Sequence, residues 1–268
     1  MSDTGPPVDD LGTPYGGGSP RRIVSLVPSL TESVARTAAD RLAGATDYCS
    51  HPTELDLARI GGPKWPDLAA IRACGPDLVL ANAEENRPQD IAALRAEGIP
   101  VWVTAPATVG EALESLARML GACGLGDPGW LADARSAWRS VGSMPRRRAL
   151  VPIWRRPWMV LGRDTFAGDV LRRLGVANVY ASHAGRYPKV PLDDLLAARA
   201  ALIVLPDEPY VFTAHNGPEC FPGVDIALVS GRHLTWYGPS LVDAPRILAA
   251  QLAGARRLDT AGSAIRRR

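Results

Sequence analysis

Short apolar runs alternate with helical patterns along most of the chain. The runs at residues 23–27, 77–81 and 201–205 are too short for a helix, and the first is rich in β-branched residues, so they predict buried strands. Segments with apolar residues at helical spacing lie between such runs. Strands that alternate with helices are typical of an α/β fold with parallel sheets.

The middle of the chain, residues 108–148, has a different pattern with almost no strand character. Thr108 and Glu111 have the spacing of a capping box, and Asp127 followed by Pro128 indicates the start of a second helix. This helical segment predicts an α/β protein of two Rossmann-like lobes joined by a rigid backbone helix, with a ligand cleft between the lobes. The predicted divisions are a disordered N-terminal segment at 1–21, an N-terminal lobe at 22–106, a helical linker at 107–148, a C-terminal lobe at 149–252 and a disordered basic tail at 253–268.

The composition is that of an ordinary globular protein and excludes several classes of partner. Hydrophobic residues make up 46% of the 268 residues, and 30 basic against 28 acidic residues give no basic surface of the kind that binds nucleic acid. No apolar stretch approaches the roughly 18 residues that a membrane helix needs. The N-terminus lacks the features of a signal peptide. We therefore expect a monomer in the cytoplasm, with no membrane insertion.

Candidate binding residues in the first lobe follow the ends of predicted strands, where ligands gather in open α/β sheets. Ser29 and Glu32 have capping-box spacing at a helix N-terminus that could hold a polar ligand, although capping alone is the favoured explanation. Tyr48 and His51 follow the second strand. Trp65 lies between two prolines with little core to enter, which makes it a ligand candidate.

Two polar residues, Glu85 and Asn86, follow the next predicted strand of this lobe. They could bind a polar ligand or a cation there. They could equally cap the helix that comes after them, through its dipole. Both interpretations stay open at the level of sequence.

The second lobe offers a predicted hairpin whose tip carries Trp154, Arg155 and Arg156. Arginine and tryptophan together suit a flat ligand that is partly anionic or rich in π electrons. The alternative is that the arginines are solvated and the tryptophans cap the core. Other loops of this part of the chain add further candidates: Tyr187, Glu208, Tyr210, Trp236 and Tyr237.

Several segments, in this order and spacing, resemble a known family. They lie at residues 22–32, 46–49, 61–62, 76–80 and 98–101. The chain resembles the class III periplasmic binding proteins, which bind cobalamin and ferric siderophores and are also called helical-backbone metal receptors. The resemblance covers residues 22–252 and is greatest to the vitamin B12-binding branch.

This resemblance implies a shallow aromatic cleft that holds a metal chelate without covalent chemistry. Tyr48 matches a tyrosine that contacts the corrin, Trp65 lies near the position of a cleft tryptophan, and Tyr187 corresponds to a tryptophan of the second lobe. Transport members also present one acidic residue on each lobe to an ABC permease. Those positions are Ala69, which cannot serve, and Asp193, which can.

We therefore predict non-catalytic binding of a corrinoid or related metal chelate, with cobalamin as a ligand and not as a catalytic cofactor. The protein would act as a cytoplasmic carrier or sensor, or as the substrate-binding component of an ABC uptake system. One alternative is an enzyme that acts on a small molecule with polar groups of the cleft: His51, Glu85, Arg155, Arg156, Glu208 and His215. Another is direct metal binding, for which the candidates are His51, Glu85, Glu208 and His215.

Overall fold

Two parallel sheets, one in each of two compact units, form the framework of the computed structural model. The structure describes residues 5–142 and 144–257. The first unit runs to Ser136 and includes Tyr237–Val242, while the second runs from Ala137 to Trp236 and resumes at Asp243. The predicted mixed α/β class is confirmed. The predicted five-part division remains a prediction, although the structure differs from it at the two ends of the chain.

The sheet of the first unit contains five parallel strands in the order β3-β2-β1-β6-β7. Its central strands β1 and β6 are buried along their whole length, because helices flank a parallel sheet on both faces. A small antiparallel hairpin of β4 and β5 follows β3. The strands are β1 (Ile23–Ser25), β2 (Leu42–Ala45), β3 (Ala58–Arg59), β4 (Gly61–Gly62), β5 (Trp65–Pro66), β6 (Leu78–Asn82) and β7 (Val101–Thr104). The helices are α1 (Pro28–Ala38), α2 (Leu68–Ala73), α3 (Pro88–Ala96), α4 (Val109–Ala122) and α5 (Gly129–Arg139), and the boundary between the units falls within α5.

Helix α4 begins at the capping box predicted from the sequence, and this prediction is confirmed. The Thr108 side chain accepts a hydrogen bond from the Glu111 amide, and the Glu111 carboxylate accepts one from the Thr108 amide. The similar spacing of Ser29 and Glu32 does not form a capping box. Helix α1 begins at Pro28 after the extended residue Val27, with no side-chain cap, so Ser29 is already helical. Proline is favoured in a first turn because its missing N–H would have no partner there.

The N-terminal residues close the outer edge of β7, which is an edge strand of the first sheet. The Asp9 carboxylate accepts a hydrogen bond from the Val103 amide at 3.1 Å, and the Asp10 amide donates to the Val103 carbonyl at 3.0 Å. The Asp10 carboxylate also accepts from the Ala105 amide at 2.7 Å. Since unpaired edge strands pair readily with other chains, these residues protect the sheet.

The expected disorder at the N-terminus is wrong for residues 5–21, while residues 1–4 lie outside the described part. Asp9 is buried and paired with Arg95 at 3.0 Å. Tyr15 is buried as well, and its ring meets Trp102 edge to face at 6.4 Å. The chain reverses direction between these residues, because the Gly12 amide donates to the Asp9 carbonyl at 3.0 Å and the Tyr15 amide donates to the Pro7 carbonyl at 2.8 Å.

The sheet of the second unit contains four parallel strands in the order β11-β8-β12-β13, with an antiparallel hairpin of β9 and β10 beside it. Strand β12 is buried at every position, as a central strand covered on both faces should be. The strands are β8 (Arg147–Leu150), β9 (Pro152–Trp154), β10 (Met159–Val160), β11 (Val176–Asn178), β12 (Leu202–Pro206) and β13 (Asp225–Val229). The helices are α6 (Phe166–Arg173), α7 (Leu192–Ala197), α8 (Gly231–Thr235) and α9 (Ala244–Ala253).

The end of the chain contains two helical elements and differs from the prediction in its last residues. A 3-10 turn, Pro239–Val242, precedes α9, because Pro245 has no N–H to continue a helical ladder. Residues 253–257 are not disordered, since Arg256 forms an antiparallel bridge with Ile226. Residues 258–268 of the predicted tail lie outside the described residues. In the part of the chain that is described, no helix is long and apolar enough to cross a membrane.

Candidate functional site

A short hairpin of β4 and β5 lies at the carboxyl end of β2 and carries Trp65. The Asp47 amide, just beyond β2, donates to the Gly61 carbonyl at 2.9 Å. Gly61 has a φ of +78°, and a Cβ there would lie 3.0 Å from the Trp65 carbonyl oxygen. Because an L side chain would be strained at this φ, glycine allows the tight turn. The hairpin therefore lies at the edge of the sheet where α/β proteins bind ligands.

Two large aromatic side chains of this region are turned toward solvent. Tyr48 is 67% exposed and Trp65 is 71% exposed. Tyr48 lies against Gly62, the residue paired with Trp65 across the hairpin, and a Cβ on Gly62 would be 3.4 Å from the tyrosine ring. Two neighbouring exposed aromatic rings form an apolar surface of the kind that binds a flat ligand. The other predicted residue here, His51, is half-buried and its Nδ1 lies 3.1 Å from the Ser50 hydroxyl.

Trp65 is in contact with Arg87, a residue that the sequence analysis did not select. The guanidinium carbon of Arg87 lies 3.9 Å from the centre of the indole ring. The same guanidinium forms two hydrogen bonds to the buried carboxylate of Asp90, at 2.7 and 2.8 Å. The three-residue spacing of Arg87 and Asp90 at a helix start could have indicated their ion pair, but no local pattern links Arg87 to Trp65.

The loop that precedes Arg87 is held by Asn82 and Asn86. The Asn82 side chain accepts from the amides of Glu84 and Glu85, and Asn86 accepts from the Asn82 amide at 2.8 Å. Asn86 also donates to the Pro63 carbonyl at 3.0 Å, which ties the loop to the hairpin. Asn86 is therefore a structural residue in this protein, in contrast to the predicted ligand contact.

Tyr237 and Ser29 also hold the interior of the first unit and are not on its surface. The Tyr237 hydroxyl accepts from Asn82 at 2.6 Å and lies 2.9 Å from the Thr104 hydroxyl, and burial raises the pKa of Tyr237 above its usual value. Ser29 is buried beneath Gly238, where a Cβ would meet the Ser29 carbonyl oxygen at 2.8 Å. Their burial leaves neither side chain accessible to a ligand, which corrects both predictions.

The acidic loop after β6 contains Glu85, whose pKa is perturbed. Glu85 is exposed at the surface, yet desolvation by the surrounding protein raises the pKa of its carboxyl above the usual value, while the Lys64 ammonium acts in the opposite direction. Lys64 itself donates to the carbonyl oxygen of Glu84, so it forms a further link between the hairpin and this loop. A carboxyl with a raised pKa can donate a hydrogen bond to a polar ligand group when it is protonated.

In the second unit, most aromatic residues of the candidate region pack against one another. Trp154, at 41% exposed, meets Tyr210 edge to face with ring centres 5.6 Å apart. Tyr210 contacts the buried Phe212 at 4.6 Å, and Phe212 stacks on Trp158 at 6.1 Å. These rings extend the hydrophobic core of the second unit to its surface. Trp154 is the ring of this group that is most accessible to a ligand.

The two arginines of the β9–β10 hairpin have different surroundings. Arg155 donates to Asn216 at 2.5 Å, pairs with Glu219 at 2.6 Å and lies 3.4 Å from the Cys220 sulfur. This arginine therefore joins the hairpin to the 3-10 turn Pro218–Cys220. Arg156, in contrast, is exposed at the tip with a φ of +67°.

The remaining candidates of the second unit are Glu208, Trp236 and Tyr187. The Trp236 indole donates to the Glu208 carboxylate at 3.0 Å, and burial raises the pKa of Glu208 against the opposing effect of that hydrogen bond. Trp236 is buried, while Tyr187 is half-buried with Arg186 stacked 6.0 Å from its ring centre. Trp236 therefore anchors Glu208 and offers little surface of its own.

The structure gives no support to a direct metal site. In residues 5–142 and 144–257, no three His, Cys, Asp or Glu side chains come together in a way that could hold a metal ion. His215 is exposed on the loop after β12. Asp193, the predicted permease contact, is exposed in the first turn of α7, and Ala69 is exposed on α2.

Comparisons with known proteins agree with this architecture. No protein-family model matches the chain. A vitamin B12-binding protein of Vibrio cholerae is 23% identical over 193 residues, which cover 68% of this chain and 69% of that protein. A vitamin B12-binding protein of Photorhabdus laumondii is also 23% identical, over 203 residues that cover 70% of this chain and 71% of that protein.

Solved structures share the same fold at low identity. The periplasmic vitamin B12-binding protein of Vibrio cholerae has a TM-score of 0.70 and 20% identity, over 87% of this chain and 97% of that one. A periplasmic heme-binding protein from Roseiflexus sp. RS-1 has a TM-score of 0.72 and 21% identity, over 88% and 98% of the two chains. A Helicobacter pylori protein with bound Ni-His reaches a TM-score of 0.78 at 13% identity, over 91% and 87%.

The fold is thus that of the helical-backbone type of periplasmic binding protein. The relatives named as vitamin B12-binding proteins and the structural neighbours that bind vitamin B12 or heme support the class III periplasmic binding protein family predicted from the sequence motifs.

Proposed function

We propose that this protein binds a corrinoid or related metal chelate without acting on it covalently. The observation that carries the proposal is the pair of exposed aromatic residues, Tyr48 and Trp65, at the carboxyl end of the first sheet. Rings of this size are normally buried, and their exposure beside a polar loop favours a flat or cage-like ligand over a small ion. The similarity to vitamin B12-binding and heme-binding proteins supports this class of ligand.

The loops of the second unit would supply further contacts. Trp154, Arg156, Tyr187 and Tyr210 all keep some exposure there. The predicted place of the ligand, between the two lobes, stays a prediction. Arg156 would suit a carboxylate or amide substituent, because guanidinium groups form paired hydrogen bonds with such groups.

Calorimetric titration of the purified protein with cyanocobalamin, dicyanocobinamide and haemin tests the proposal. We expect micromolar or tighter binding of at least one of them, and a loss of about tenfold in affinity, roughly 1.4 kcal/mol, for Trp65→Ala. Tyr48→Ala should weaken the binding of the same ligand. Leu196→Ala, which changes an exposed apolar residue of α7, serves as the matched control and should leave the affinity unchanged.

Failure of the folded protein to bind any of these chelates would contradict the proposal. The enzyme alternative would then be the next to test, because desolvation raises the pKa of both Glu85 and Glu208, as acid–base catalysis requires. Turnover of a small molecule that is abolished by Glu85→Gln or Glu208→Gln would support that alternative.

The cellular role is a further part of the proposal. A cytoplasmic carrier or sensor and a component of ABC uptake both use the same binding chemistry. Cell fractionation distinguishes the locations, and ligand uptake that depends on Asp193 would favour the transport role. Uptake unaffected by Asp193→Ala would argue against a permease contact at α7.

A further inference from the structure

The β4–β5 hairpin is fixed to the loop after β6 at three points. Lys64 donates to the Glu84 carbonyl, Asn86 donates to the Pro63 carbonyl at 3.0 Å, and Arg87 stacks on the Trp65 ring. A four-residue turn at a protein surface would ordinarily leave its exposed tryptophan free to change rotamer. Here the neighbouring loop holds both the backbone of the turn and the indole ring.

The guanidinium that contacts Trp65 is itself held in one orientation. Its two hydrogen bonds to Asp90 involve Nε and one terminal nitrogen, so they fix the plane of the group. The Asp90 side chain is only 8% exposed and lies in the first turn of α3, where a negative charge is favoured by the helix dipole. A rigid helix end therefore sets the position of Arg87.

The other side of the indole remains open. Trp65 is 71% exposed, although the Arg87 guanidinium lies 3.9 Å from its ring centre, so the arginine covers one face and leaves the opposite face to solvent. An aromatic ring that is already immobilised loses little conformational entropy when a ligand stacks on it. A flat, conjugated chelate gains most from such a surface, because it can contact the whole ring.

We propose that Arg87 and Asp90 are positioning residues that hold Trp65 as a preorganised stacking surface for a flat, conjugated metal chelate. The proposal deepens the binding function proposed above and rests on it. Arg87 acts through Trp65 and not by contacting the ligand. Its contribution should therefore disappear when Trp65 is absent.

A double-mutant cycle measures this dependence with haemin and cyanocobalamin as probes. We expect Arg87→Ala to weaken binding about threefold to tenfold, which corresponds to the usual size of a cation–π contact. Trp65→Ala should weaken it by about tenfold, and Trp65→Ala/Arg87→Ala should match Trp65→Ala within about twofold. The affinity for haemin, the flatter probe, should fall by a larger factor than the affinity for cyanocobalamin.

Matched variants separate this role from a general effect on the fold. Arg72 forms an equivalent two-bond pair with Glu97 in the same unit, and among the described residues it contacts no aromatic ring. Arg72→Ala should leave the affinity within about twofold. Because Arg87→Ala leaves the Asp90 carboxylate buried without its arginine, the pair Arg87→Ala/Asp90→Ala provides a second variant that avoids this penalty. Arg87→Lys should bind the probes as weakly as Arg87→Ala does, since lysine lacks the planar guanidinium group.

A second measurement needs no ligand and so separates failure of this inference from failure of the binding function. The time-resolved anisotropy of Trp65 is obtained as the difference between the unchanged protein and Trp65→Phe. We expect faster local rotation of the indole in Arg87→Ala than in the unchanged protein. Unchanged rotation of the indole in Arg87→Ala would overturn the proposal. An equal loss of ligand affinity from Arg87→Ala in the presence and in the absence of Trp65 would also overturn it. Absence of chelate binding with faster rotation would overturn the binding function and leave the positioning role supported.

Discussion

Each unit contains a tryptophan whose ring is contacted by an arginine, but the surroundings of the two tryptophans differ. In the first unit, Arg87 stacks on Trp65 while the indole stays 71% exposed. In the second unit, Arg155 lies 5.5 Å from the ring of Trp158, which is also stacked on Phe212. In the first unit the arginine supports an exposed ring that a ligand can reach. In the second unit the tryptophan is part of the hydrophobic core. The number of other aromatic rings that reach the tryptophan makes the difference.

The largest expected effect on stability comes from removing an aromatic ring from the core of the second unit. Phe212→Ala should lower the free energy of unfolding by about 3–5 kcal/mol, because Phe212 is buried between Trp158 and Tyr210. Tyr48→Ala in the first unit should change it by no more than about 0.5 kcal/mol, since that ring is exposed. Urea unfolding followed by circular dichroism measures both, and similar losses would remove the distinction between the two regions.

A smaller effect is expected from the arginine of the second hairpin. Arg155→Met should lower the free energy of unfolding by about 1.5–3 kcal/mol, because the half-buried guanidinium bonds Asn216 and pairs with Glu219. Arg163→Met is the matched control, since Arg163 pairs with Asp164 on the surface. Its effect should be about 0–1 kcal/mol. If the two variants lose the same stability, Arg155 is not a structural link.

The smallest effects concern two glutamates whose pKa values shift in opposite directions. Desolvation by the surrounding protein raises the pKa of Glu85, so ionisation of this group destabilises the fold as pH rises above about 4.5. For Glu219, burial favours a higher pKa, but backbone amides and Arg155 outweigh it and hold the pKa below its usual value. Its stabilising contribution is therefore present above about pH 4.5 and is lost as pH falls through the lowered pKa.

These signs give opposite expectations for the two amide variants. Glu85→Gln should raise the melting temperature at pH 7 and lose this advantage below about pH 4.5. Glu219→Gln should lower the melting temperature at pH 7 and have less effect in acid. Melting curves from pH 3 to pH 8 provide the measurement, and a common direction for both variants would contradict the difference between their surroundings.

The sequence predicts well those features that depend on neighbouring residues. The capping box of Thr108 and Glu111, the β9–β10 hairpin and the alternation of strands and helices are all local patterns, and the structure contains them. The pattern at Ser29 failed because Pro28 starts the helix one residue earlier. The two patterns look alike in sequence, but only the one at Thr108 forms a capping box, because a proline before Ser29 starts the helix earlier.

Contacts between residues that are far apart in the sequence cannot be predicted from local patterns. Asp9 contacts Val103, and a glycine- and proline-rich segment gives no sign of a partner so far along the chain. Arg87 likewise meets Trp65 through the folding of two separate loops. The family resemblance indicated Tyr48 and Trp65 but not the groups that hold them, because supporting residues depend on the details of packing in each protein.

The position of Tyr237 has a consequence for the order in which the two units can fold during synthesis. Its hydroxyl lies between Asn82 and Thr104 in the first unit, yet the chain reaches it only after every residue from Ala137 to Trp236. Domains usually complete their folding in the order of synthesis. In this protein the ribosome must release the main segment of the second unit before the first unit can acquire its last segment, so the unit that is begun first is finished late.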